Sequence, residues 1–96
     1  MQRVDKVTNS ERYWRIRELK PFYTPTSLGY IKEDEYRVLS YGVEIATINI
    51  KTKKPKWFDN SFYSTTTSRL QNDVITALNL GISMTRSKDD ELETIR

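Results

Sequence analysis

The densest run of reactive side chains in this sequence is Ser64-Thr65-Thr66-Thr67-Ser68, with Arg69 directly after it and Asn72 one helical turn on. Downstream, Leu70, Val74, Ala77 and Leu78 recur at helical spacing, so the hydroxyls fall at a helix N-terminus. Two kinds of chemistry suit that position. Free N–H groups and a partial positive charge favour an anion, and Ser64, Thr66, Thr67, Ser68, Arg69 and Asn72 would together cradle a phosphate. The same hydroxyls also serve as helix caps and ties to the preceding strand. Caps are far commoner than phosphate sites, which favours the second reading, although five successive hydroxyls exceed what one cap needs.

The chain has no His and no Cys. A disulfide scaffold, a thiolate metal site and every Ser-His or Cys-His nucleophile are therefore excluded. Carboxylates, Lys, Tyr, Ser and Thr remain, in no catalytic arrangement. An enzyme is the least supported class, and neither a metal nor another cofactor is expected. Asp89, Asp90, Glu91 and Glu93 lack the glycine turn and alternating ligands of a calcium loop and read as a solvated charge run.

Two further groups could make contacts. Lys51, Lys53, Lys54 and Lys56 precede Trp57, and basic residues beside an aromatic ring can hold phosphates and stack a base. A lysine-rich loop also keeps a sheet soluble and its edges unpaired. Arg12, Arg15 and Arg17 flank Tyr13 and Trp14, the residue types that dominate interfaces. Against that, Trp14 could be core, with the arginines as its solvated neighbours. Net charge is +3, concentrated in residues 1–20 (six basic, three acidic) and 51–81 (five basic, two acidic). That bias is milder than a dedicated nucleic-acid binder usually carries.

These residues need elements to position them. Ninety-six residues make one domain, and 36% hydrophobic against 30% charged suits a folded chain. Met1–Asn9 has no periodicity and is expected to be a flexible arm. Ser10–Lys20 fits either helix or strand; Ser10 as a cap and Pro21 as a stop favour helix. Pro21, Pro25 and Gly29 predict a loop over 21–29. Tyr36–Tyr41 and Val43–Ile50 read as strands joined by a tight turn at Gly42. The apolar phase shifts between Ile45 and Ile48, so the second strand is covered on both faces or bulges near Ala46 and Thr47. Leu28–Ile31 could add an edge strand, Lys32–Glu35 a solvated turn, and Lys56–Phe58 a third strand. The helix is placed over Thr67–Leu80, capped by Thr66 or Thr67 and ended by Gly81. The expected architecture is α+β: a small three- to four-stranded antiparallel sheet on one main helix, with room for a second, N-terminal helix. The domain spans 10–82, and 83–96 is a mobile or loosely docked tail.

Laid end to end, YRVLSYGVEIATI (Tyr36–Ile48) and FYSTTTSRLQN (Phe62–Asn72) resemble an uncharacterised family of short phage and mobile-element proteins; LKPFYTPTSLGYI (Leu19–Ile31) matches more weakly. That family pairs a β-hairpin with a Tyr-Ser-x-Thr-Thr-Ser-Arg/Lys-x-x-Asn stretch, here Tyr63, Ser64, Thr66, Thr67, Ser68, Arg69 and Asn72. Many relatives carry His where this chain has Leu70. The resemblance implies genomic origin more than mechanism. With the missing catalytic constellation, it implies a non-enzymatic accessory protein that binds a host protein or nucleoprotein complex stoichiometrically. Host-takeover and anti-defence inhibitors of the anti-CRISPR kind act in this way. The alternative is a small DNA- or RNA-binding domain. No apolar run approaches a membrane span and Met1–Ser10 is polar, so host cytoplasm is the expected compartment.

Overall fold

The computed structural model of the protein describes residues 4–61 and 63–81. The chain runs β1 (Asp5–Lys6), α1 (Asn9–Arg17), β2 (Phe22–Tyr23), β3 (Ser27–Lys32), β4 (Glu35–Ser40), β5 (Val43–Asn49), β6 (Pro55–Phe58), α2 (Thr65–Leu78). The strands form one sheet whose order follows the chain from β1 to β6. β1 and β2 pair in parallel, with α1 as their connection, and the other neighbours pair antiparallel. The α+β class holds, but the sheet has six strands rather than three or four, and it is mixed. β1 and β2 are two residues each, too short to show a period of two.

The N-terminal segment is not an arm from residue 5 onward. Asp5–Lys6 joins the sheet, Val7 is buried and donates its N–H to the Tyr23 carbonyl at 2.9 Å, and Thr8 caps α1. That cap is a capping box with Glu11, so Thr8 takes the role expected of Ser10. At the other end Leu19 adopts φ 55°, and Lys20 N–H reaches the Arg15 carbonyl at 2.8 Å, a Schellman closure before Pro21. The segment 21–29 holds β2 and the start of β3 rather than a loop, and β3 lies inside the sheet between β2 and β4. Residues 83–96 lie outside the described residues.

Alternation along β3 and β4 sends Ser27, Gly29, Tyr36, Val38 and Ser40 to one face. The helices sit there: Ser40 Oγ bonds Thr67 Oγ1 at 2.8 Å, Arg12 reaches Ser27, and Tyr36 Oη donates to the Lys20 carbonyl at 2.8 Å. Ile16, Leu70 and Val74 close a core with Phe22, Tyr36, Val38, Ile45, Ala46 and Ile48. The phase shift in β5 is a bulge. Val38 faces Ala46 and Leu39 faces Glu44, leaving Ile45 as the extra residue and burying both Ile45 and Ala46. Gly29 is where the Phe22 ring crosses the sheet: a Cβ there would strike that ring and fall 2.7 Å from the Tyr36 hydroxyl.

α2 begins earlier than its apolar pattern suggests. Ser64 is its cap, accepting from Thr67 N–H at 3.2 Å, in place of Thr66 or Thr67. It ends at Asn79, whose φ is 51°, while Gly81 lies two residues beyond. Buried Arg12 and half-buried Asp73 join α1 to α2, with Arg12 Nε and Nη2 at 3.0 and 2.7 Å from one Asp73 carboxylate oxygen.

Candidate binding surfaces

Three of the large apolar side chains left exposed meet around one hollow. Tyr41, Val43 and Tyr63 are 63%, 54% and 52% exposed and line a cavity of about 410 Å³ with Ser40, Ile45, Ser64, Thr66 and Thr67. Each wall has a local cause. Tyr41-Gly42 is the two-residue turn between β4 and β5, and both residues take positive φ, 50° and 78°, which matches the twist of a hairpin. Gly or Asn meets that requirement easily; a tyrosine there costs about 1–2 kcal/mol. Val43 follows on β5, beside Ser40.

Tyr63 is held by the connection from β6 to α2. Gln71, fully buried, donates Nε2 to the carbonyls of Asp59 and Ser61 at 2.5 and 3.1 Å. The Tyr63 hydroxyl donates to the Asp59 carboxylate, and Ser61 N–H donates to the same carboxylate at 2.9 Å. These bonds, the Tyr63 hydroxyl first, hold the Asp59 carboxyl below its ordinary range and push the Tyr63 phenol up. The floor is the first turn of α2, which has no acidic residue against its positive end. Among the described residues, no Lys or Arg lines this hollow.

The proposed phosphate cradle is divided. Ser64 and Thr67 serve the cap and the tie to Ser40, and Thr66 faces the apolar hollow. Ser68 has a buried hydroxyl without a hydrogen-bond partner among the described residues. Arg69 and Asn72 line a different, polar hollow with Asn9, Ser10, Arg12, Tyr13 and Asp73. Arg69 lies two residues beyond Thr67, about 200° around the helix.

The N-terminal group divides as well. Arg12 is buried against Asp73, and Arg15 pairs with Asp5 at 3.1 Å. Arg17 lies over the Trp14 ring, 5.4 Å from its centroid, and Trp14 is 57% exposed rather than core. The lysine group stands at the other edge of the sheet. Asn49 Oδ1 accepts from Lys51 and Thr52 N–H at 2.9 and 3.1 Å, which orders the loop carrying Lys53 and Lys54. Lys56 bonds Glu35 at 2.6 Å. That contact, followed by Arg37, lowers the Glu35 carboxyl, and Glu35 in turn raises the Lys56 ammonium.

Comparison with protein-family models, curated proteins and solved structures finds no match. The surfaces therefore have to be judged on their own chemistry. Among the described residues no cluster of acidic side chains is placed to hold a metal, and no helix is long and apolar enough to cross a membrane. The acidic run from Asp89 lies outside them. Sequence reasoning chose Trp57 but missed Tyr41, Val43 and Tyr63 as one group. The available signal was a tyrosine at a turn position that ordinarily takes Asn, Asp or Gly.

Proposed function

We propose that the protein acts by stoichiometric binding to a host protein through the hollow ringed by Tyr41, Val43 and Tyr63. The supporting observation is the convergence of these three exposed side chains on one concave apolar site. Tyrosine is among the residue types that most often carry interface energy, and such anchors typically cluster around a pocket. A protein partner fits better than a nucleic acid at this hollow because its lining is mostly apolar and, among the described residues, holds no cation. The occupant would be a large apolar side chain, and an acidic neighbour would meet the unopposed positive end of α2. The resemblance to short phage and mobile-element proteins supplies the setting: a non-catalytic host-takeover or anti-defence inhibitor in the host cytoplasm.

The test is affinity capture from host lysate followed by size-exclusion of the complex, with Tyr63→Ala and Val43→Ser in parallel. Loss of one anchor of about 2 kcal/mol should weaken the complex roughly 30-fold, with little dependence on salt. A partner retained equally by both variants, with their folds verified by circular dichroism, would refute this site.

A further inference from the structure

A second surface lies on the far side of the sheet from the helices. We infer that this bare face, with the lysine loop at its end, binds single-stranded nucleic acid. Strand pairing places Tyr30, Arg37, Thr47 and Trp57 in one row across β3 to β6, with Tyr23 at the start of the adjoining row. All point away from the helices by alternation with Gly29, Tyr36, Val38 and Ala46. Neither helix lies over this face; Trp57 and Tyr23 are 46% and 42% exposed, while Thr47, between Arg37 and Trp57, is buried among its neighbours. Aromatic rings on an open sheet are stacking platforms, and every base offers a π face to them.

Charge favours the same occupant. Two carboxylates on this face, Glu35 and Glu44, are already engaged. Glu35 bonds both Lys56 and Arg37, at 2.6 and 2.8 Å, while Glu44 accepts from Thr47 and lies 3.7 Å from Arg37 Nε. Lys51, Lys53 and Lys54 are exposed, and no ion pair ties them among the described residues. Asn49 N–H donates to the Lys54 carbonyl at 2.9 Å and Ile50 N–H to the Asp34 carbonyl at 3.0 Å, which fixes the loop at the end of the sheet, where Lys53 and Lys54 also border Leu78, Asn79 and Leu80 at the end of α2. Exposed ammonium groups on the loop that leads into the Trp57 strand suit a sugar–phosphate backbone whose bases lie on the sheet. Duplex DNA, whose bases are already stacked, gains nothing from those rings. This inference goes beyond the protein-binding hollow and uses the opposite face.

The experiment titrates a single-stranded oligo(dT) of about 20 nucleotides, and the matching oligo(U), into the full-length protein carrying Trp14→Phe. Trp57 is then the sole tryptophan, because the chain has two. Binding should quench its fluorescence. The logarithm of affinity should fall with log salt at a slope of about −2, as three phosphate contacts on a single strand require. Without the second tryptophan substitution, Trp57→Ala should weaken binding about 5- to 150-fold by filter retention, and Trp57→Phe should restore most of it. Lys53→Glu with Lys54→Glu should weaken binding and flatten the slope. Tyr63→Ala should leave it unchanged, which separates this surface from the hollow. No retention of either strand at low salt would overturn the inference, as would equal binding of duplex or indifference to Trp57→Ala in a folded variant.

Discussion

Removing Asp73 strands a buried charge. Arg12 is 3% exposed, and its Nε and Nη2 depend on one oxygen of Asp73 at 3.0 and 2.7 Å. Its other contacts, Asn9 Oδ1 and Ser27 Oγ, lie at 3.5 Å and compensate little. Breaking a fully buried pair from one side costs about 3–5 kcal/mol. The Asp73 side chain keeps 27% of its accessibility, so water can partly replace it, and the expected loss for Asp73→Ala falls to about 2–3 kcal/mol. Stability for a domain this size is of order 5–14 kcal/mol. With a urea dependence of about 1 kcal/mol/M, the unfolding midpoint should drop by about 2–3 M. Arg12→Met combined with Asp73→Leu removes both charges and should return the protein to within about 1 kcal/mol of the parent. Urea titration followed by circular dichroism measures all three proteins. A loss below about 0.5 kcal/mol for Asp73→Ala would mean that the pair behaves as a surface contact, and the account of how α1 is fastened to α2 would fail.

Gly29→Ala should destabilise by about 2–4 kcal/mol, because its methyl displaces the Phe22 ring and disturbs the Tyr36–Lys20 hydrogen bond. Adding Phe22→Leu should recover part of that loss in the same titration, and a neutral Gly29→Ala would contradict the packing described. Burial pushes the Tyr36 phenol far above its ordinary value. Its contribution is therefore complete below about pH 10, where an unfolded tyrosine titrates, and declines by about 1.4 kcal/mol per pH unit above it. Unfolding free energy measured from pH 9 to about 11 should show this slope, and Tyr36→Phe should lose the part of it due to this residue.

The hairpin was legible because Tyr36–Tyr41 and Val43–Ile50 are β-branched and aromatic and meet at Gly42. α2 was legible from Leu70, Val74 and Ala77. What escaped notice was decided by distant partners. Asp5–Lys6 becomes a strand only because Phe22–Tyr23 lies beside it. The cap of α2 could have been any of several hydroxyls, and Ser64 holds the place because Thr67 is drawn to Ser40 on the sheet. The grouping of Ser64–Asn72 as one site failed for a helical reason, since Arg69 and Asn72 face α1 while Thr66 and Thr67 face the hairpin. The arginines at 12, 15 and 17 could not be sorted into buried, paired and ring-stacked without knowing that Asp73, Asp5 and Trp14 stand next to them.

From β2 to β6, spatial neighbours in the sheet are also joined by short connections, so each new strand can add to the last without a long loop first being closed. Such local wiring lowers contact order and favours rapid assembly. The architecture therefore lends itself to being built in the order of synthesis, with α2 sealing an apolar surface that the strands have already prepared.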